Sequence, residues 1–135
     1  MTQRIIKFRA WCGLPNRMIE NVSTGTIYIF GDKGEQTHSS GCIFMQFTGL
    51  LDKNGKEIYE GDIMKRFTEV NEGFGFDLCV VKWNQARCYY ELDRANDQAS
   101  YWGHMNGSHA KGGRYEVIGN IYDNPELLPP NSPAQ

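Results

Sequence analysis

Glu57, Glu60 and Asp62 lie close together in sequence, and grouped carboxylates can hold a metal ion or pass protons to a substrate. Their placement argues against both uses. Neighbouring side chains on a strand point to opposite faces. Glu60-Gly61-Asp62 also reads as a sharp turn, where acidic residues are expected because they are hydrated. No His or nucleophile stands beside them. Asp52-Lys53-Asn54-Gly55-Lys56-Glu57 opens like a calcium loop but cannot finish as one. Such a loop needs an oxygen ligand at its fifth position, Gly at its sixth and a bidentate Glu at its twelfth, where this chain has Lys56, Glu57 and Ile63. Asp52 to Gly55 instead suits a solvated type I turn, with Asp52 bonding its own following backbone and Gly55 accepting positive φ.

Gly73-Phe74-Gly75-Phe76 matches the centre of an RNA-recognition signature, and Ile27-Tyr28-Ile29-Phe30 could imitate its partner strand. In that module aromatics on a sheet face stack on bases and a basic residue opens the motif. Here Glu72 occupies the basic position, Asp77 replaces an apolar residue, and strands and turns fill the place of the required helix. The expected reading is a glycine-flanked turn with core phenylalanines. Gly73 and Gly75 lack the third glycine of a dinucleotide loop. His104 and His109, with Cys79 or Cys88, fit no zinc-finger spacing. Cys12 or Cys42 would need a nearby base and a positive environment to act as a nucleophile. All four cysteines are widely spaced and read as reduced core or sheet residues, and no cofactor is expected.

Binding residues are better represented than catalytic ones. Arg87, Tyr89, Tyr90, Arg94, Tyr101 and Trp102 form a cluster of the types that suit protein interfaces and base stacking alike. Arg4, Lys7, Arg9 and Arg17 are the charged side chains among the first nineteen residues; they read as the solvent face of an edge strand guarded against aggregation. A net charge of −2 leaves no long-range positive field for nucleic acid or an anionic membrane. The expected partner is therefore a protein, with self-assembly and nucleic-acid binding through the aromatic and basic loop as alternatives.

The elements that would carry these residues are short strands. Ile5 to Trp11 places Ile6, Phe8 and Ala10 on one face and Lys7, Arg9 and Trp11 on the other. Met18-Ile19, Thr26 to Phe30, Cys42 to Thr48 and Ile63 to Phe67 continue the pattern, while Asp32 to Gly41 reads as a loop. Leu78 to Asn84 and Tyr89 to Leu92 pair across Gln85 to Cys88. Asp93 to Gly113 loses apolar periodicity and reads as a long mobile excursion. Tyr115 to Tyr122 resumes as a strand with Tyr115, Val117 and Ile121 opposite Ile118 and Tyr122, and Asn124-Pro125-Glu126 starts one closing helical turn. The Pro-rich end after Leu128 carries no core residues and is expected to be disordered. With 135 residues, seven Phe, seven Tyr and three Trp, the chain has enough large side chains for one small β barrel or sandwich without disulfides or metal. There is no signal-peptide pattern and no apolar run of membrane-spanning length, so the expected location is the cytoplasm.

Two blocks are specific enough to carry a resemblance: QFTGLLDKNGKEIYEGDIM, Gln46 to Met64, and YEVIGNIYDNPELL, Tyr115 to Leu128. With the opening IIKFRAW, they resemble the YopX protein family of bacteriophages and prophages, over Ile5 to Trp11 and most of Met45 to Leu128. The resemblance implies an SH3-like small barrel in the C-terminal part, residues 45–128, behind an N-terminal β-rich extension, residues 1–44. It implies no catalytic residues, the family having no established activity. The function it leads us to expect is that of a non-enzymatic phage accessory module.

Overall fold

The computed structural model describes residues 3–13, 16–24, 28–38, 40–70, 73–94 and 102–129. The chain is mainly β and divides into two compact units, Met1–Gly49 and Leu50–Gln135.

In the first unit, β1 (Phe8–Cys12) lies between β2 (Arg17–Ile19) and β6 (Cys42–Leu51), antiparallel to both. A second small sheet has the order β3 (Ser23–Thr24), β4 (Tyr28–Phe30), β5 (Gln36–His38). On β4, Ile29 is fully buried and its neighbours Tyr28 and Phe30 are exposed, the alternation expected of a half-buried strand. Ile29 joins Ala10, Cys12 and Ile19 in one core, with Val22 and Cys42 packed against it.

Three expectations change here. Cys12 and Cys42 face each other across β1 and β6 and are disulfide-bonded, whereas all four cysteines had read as reduced. Thirty residues separate the two in sequence, so no local spacing announces the pair. β1 is an interior strand, not an edge: Arg9 is 5% exposed, and Ile6 is 61% exposed where burial was expected. Period-two alternation assigns residues to faces but does not say how far along a strand the covering layer reaches; here it covers Ala10 and Cys12 and stops short of Phe8. Finally, Gln36–His38 within the expected loop is a strand, β5, too short and polar for alternation to register.

In the second unit, Asp52 to Gly55 turns the chain from β6 into β7 (Glu57–Tyr59). Gly55 has φ of 80° and its N–H donates to Asp52 O, as the turn residues predicted. A five-stranded antiparallel sheet follows, in the order β11 (Trp102–His104), β10 (Tyr89–Arg94), β9 (Gly73–Asn84), β8 (Asp62–Val70), β12 (Tyr115–Asn120). Both faces of its centre are covered. Met64, Cys79, Val81 and Leu92 pack with Ile58, Ala110, Tyr115 and Val117 on one side. Ile63 and Val80 pack with Leu128, flanked by Leu78, Ile118, Ile121 and Leu127, on the other. This explains why Cys79, Val80 and Val81 are buried in succession.

The acidic turn residues are not wet. Asp52 is 5% exposed and Asp62 1%. Asp52 Oδ1 accepts the N–H groups of Asn54 (2.8 Å) and Lys56 (2.9 Å), and its Oδ2 accepts that of Val117 (2.9 Å) on the distant β12. Asp62 Oδ2 accepts Tyr59 N–H at 2.8 Å. These carboxylates replace a backbone ladder where the chain turns, because buried N–H groups must find acceptors.

Part of the expected mobile excursion is ordered. β10 runs on to Arg94, β11 pairs with it, and α1 (Gly107–Lys111) buries Ala110 in the core, with Asn106 Oδ1 accepting Ser108 N–H at its start. A three-residue strand and a five-residue helix each turn too few residues inward to show a period. Gly73 to Phe76 is strand, not turn, and Phe76 is 52% exposed instead of core: the β8–β9 hairpin continues past the pairing of β12 and β10. On β12 a bulge between Val117 and Gly119 resets the alternation, so Ile121 packs with Ile118 and not with Tyr115. Pro125 opens a 3₁₀ turn, Pro125–Leu127, as predicted. Residues 130–135, expected to be disordered, lie outside the described ones.

Candidate binding surface

The tip of the β9–β10 hairpin carries Trp83, Arg87, Tyr89 and Tyr90. Its turn is held by Asn84, whose backbone O accepts Cys88 N–H (2.8 Å) and whose Oδ1 accepts Arg87 N–H (3.0 Å). Cys88 closes it with φ of 57° and an exposed free thiol. Register then decides the faces. Tyr90 stands opposite Trp83 and Tyr89 opposite Asn84.

On the face shared with Val81 and Leu92, the Trp83 and Tyr90 rings meet edge to face at 4.9 Å. Tyr90 packs on the core while Trp83 stays 40% exposed, its Nε1 donating to Gln85 Oε1 at 2.9 Å. On the opposite face Tyr89 packs edge to face on His104 at 5.8 Å, and its hydroxyl accepts a 3.5 Å bond from Arg87 Nη1. Charges on this face are matched: Lys82 pairs with Asp93 at 2.8 Å, and Glu91 accepts Asn84 Nδ2 at 2.9 Å.

Of the residues expected to bind, Arg87, Tyr89 and Tyr90 are brought to one hairpin tip but divided between its faces. Arg94 ends β10 and Trp102 opens β11, but their side chains lie outside the described ones, as does all of Tyr101. Trp83 and His104 were not selected from sequence. The signal for Trp83 was its register opposite Tyr90 across a four-residue turn, which places two large aromatics on adjacent strands.

The residues weighed for chemistry are dispersed. His109 packs on Tyr115 and His104 on Tyr89. Cys79 is buried with its thiol toward Asp77 O. Among the described residues no three His, Cys, Asp or Glu side chains converge as metal ligands would, and no helix is long and apolar enough to cross a membrane. In the first unit, Phe8, Val22, Ser23 and Phe44 line an apolar cavity of about 420 Å³. The Tyr115 hydroxyl accepts Asn106 N–H at 3.1 Å, and burial raises its pKa above the ordinary tyrosine value.

No curated protein matches the sequence. The crystal structure of protein EF1440 from Enterococcus faecalis is similar, with a TM-score of 0.60 and 28% identity, over 94% of this chain and 100% of that one. A family model described as YopX protein matches residues 7–129, spanning both conspicuous blocks and the strands that carry them. The chain belongs to the YopX family.

Proposed function

We propose that this chain is a non-enzymatic protein-binding module, in which an SH3-like small barrel at residues 45–128 presents the β9–β10 hairpin tip to a protein partner. The observation that carries the reading is the Trp83–Tyr90 pair, braced from the core side and 40% exposed at Trp83, with the exposed Arg87 in the turn of the same hairpin, bonded to Tyr89 on its other face. Trp, Tyr and Arg dominate binding energy at protein interfaces, most effectively where a rigid base holds them. The matched charges around Tyr89 favour a protein over a polyanion, since Lys82 and Asp93 already neutralise one another. The family points to a phage-associated role in the bacterial cytoplasm. The Cys12–Cys42 bond argues the other way, because disulfides are rare in reducing compartments.

Affinity capture with the full chain, followed by reconstitution with the purified partner, tests the reading. Trp83→Ala and Arg87→Ala should each weaken that complex about tenfold or more. Unchanged affinity in both variants removes the hairpin as the binding surface.

A further inference from the structure

The β8–β9 hairpin carries a second surface, distinct from the β9–β10 tip and absent from the residues selected by sequence. Phe67 and Phe76 stand directly opposite each other on neighbouring strands, and their rings meet edge to face at 6.2 Å. Lys53 Nζ lies 4.8 Å from the Phe67 centroid and Lys65 Nζ 4.7 Å from that of Phe76. The layer formed by Leu128 and its neighbours covers this face at Ile63 and Val80, then ends, leaving Phe76 52% exposed. The one described acid in the cluster is Glu116, which sits opposite Lys65 in register and pairs with Lys53 at 3.5 Å. Arg66 and Asp77, paired at 2.9 Å, occupy the alternate positions on these strands and so the other face.

We infer that this face is a binding platform for single-stranded nucleic acid. A base stacks on the exposed Phe76 ring, with Phe67 bracing it, while Lys65 and Lys53 meet the flanking phosphates. The chemistry fits in three respects. Aromatics side by side on adjacent strands of an open sheet face are how sheet platforms receive unpaired bases. Each ring has its own cation, and among the described side chains of this cluster two lysines stand against one carboxylate. Finally, Gly75 beside Phe76 belongs to the Gly-Phe-Gly-Phe run that resembles the centre of an RNA-recognition signature; Glu72, Asp77 and the strands in place of a helix separate the chain from that module, but Phe76 is exposed, as a stacking aromatic must be.

The test is fluorescence anisotropy of the full chain with labelled oligo-dT, oligo-rU and a duplex of equal length, at 50 and 200 mM salt. Saturable binding to single strands, at least tenfold tighter than to duplex, is expected, because duplex bases are already stacked. Two phosphate contacts imply a log–log salt slope of about −1.4, or roughly sevenfold weaker binding at the higher salt. Phe76→Ala and Phe76→Leu should both lose about tenfold or more, Leu testing loss of the aromatic face with apolar volume retained. Lys65→Gln should reduce the slope by about 0.7. Circular dichroism confirms that each variant is folded. The inference is overturned by no saturable binding, by equal affinity for duplex, by wild-type affinity in folded Phe76→Leu, or by poly-glutamate competing as well as oligo-dT. The last result would identify the site as a receiver of acidic peptide.

Discussion

Asp52→Ala removes one carboxylate and with it three hydrogen bonds to backbone N–H groups, those of Asn54, Lys56 and Val117. The three are not equal. Asn54 and Lys56 lie in an exposed turn where water can replace the carboxylate, so each bond is worth about 0.5–1.5 kcal/mol. Val117 is 9% exposed, and its N–H has no such substitute, which costs about 1–3 kcal/mol. The expected total is about 2–6 kcal/mol, a large fraction of the stability of an ordinary domain, about 5–15 kcal/mol. For a unit of this size each kcal/mol lowers Tm by about 4–8 °C, so the midpoint should fall by about 8 °C or more. Asp52→Asn should recover the turn but not Val117, because the amide NH2 then faces an N–H, and should lose roughly half as much. Urea titrations of the full chain, followed by tryptophan fluorescence and far-ultraviolet circular dichroism, give both values. A loss below about 1 kcal/mol in Asp52→Ala would falsify the assignment of Asp52 as a buried backbone clasp.

Two further outcomes concern single groups. Thiol titration of the unreduced protein should find one reactive cysteine when native, Cys88, and two after denaturation, when Cys79 is released; four under denaturing conditions would show Cys12 and Cys42 unpaired. Replacing that pair by Ser should destabilise the first unit by about 3–4 kcal/mol, the loop-closure value for their 30-residue separation. Tyr115 has a folded-state pKa raised by burial. Its protonated form is favoured on folding, so its contribution is intact below the unfolded value of about 10 and is lost as pH rises through the folded value. Stability should therefore decline above about pH 10, and Tyr115→Phe should flatten that decline while costing about 1 kcal/mol at neutral pH through the lost Asn106 bond. An unaltered alkaline slope in Tyr115→Phe contradicts this.

What could be read from the sequence was local. The Asp52–Gly55 turn, the pairing of the β9 and β10 strands and the Pro125 turn each follow from residues within a few positions of one another. Features set by distant partners could not be read. Asp52 looked hydrated because its third donor lies 65 positions away. Cys12 and Cys42 looked independent for the same reason. The binding residues were legible by type but not by face: Tyr89 and Tyr90, adjacent in sequence, look in opposite directions, and Trp83 joins Tyr90 only through register. Phe76 was misplaced because a glycine–aromatic run resembles a core turn unless the length of its hairpin is known.

The clasp between Asp52 and β12 also sets a timetable for synthesis. Lys53 N–H donates to Tyr115 O, and Ile121 N–H to Gly61 O, so the conspicuous middle block is completed by β12, which is translated well after it. At about 5–20 residues per second, some 3–13 s pass between translation of Asp52 and that of Val117. Throughout that interval β8 presents an unpaired edge and Asp52 Oδ2 must remain hydrated. A nascent chain halted before Tyr115 therefore holds most of this unit's core residues but lacks Tyr115, Val117, Ile118, Ile121, Leu127 and Leu128, which close over them, and it is the species a ribosome-associated chaperone would need to shield.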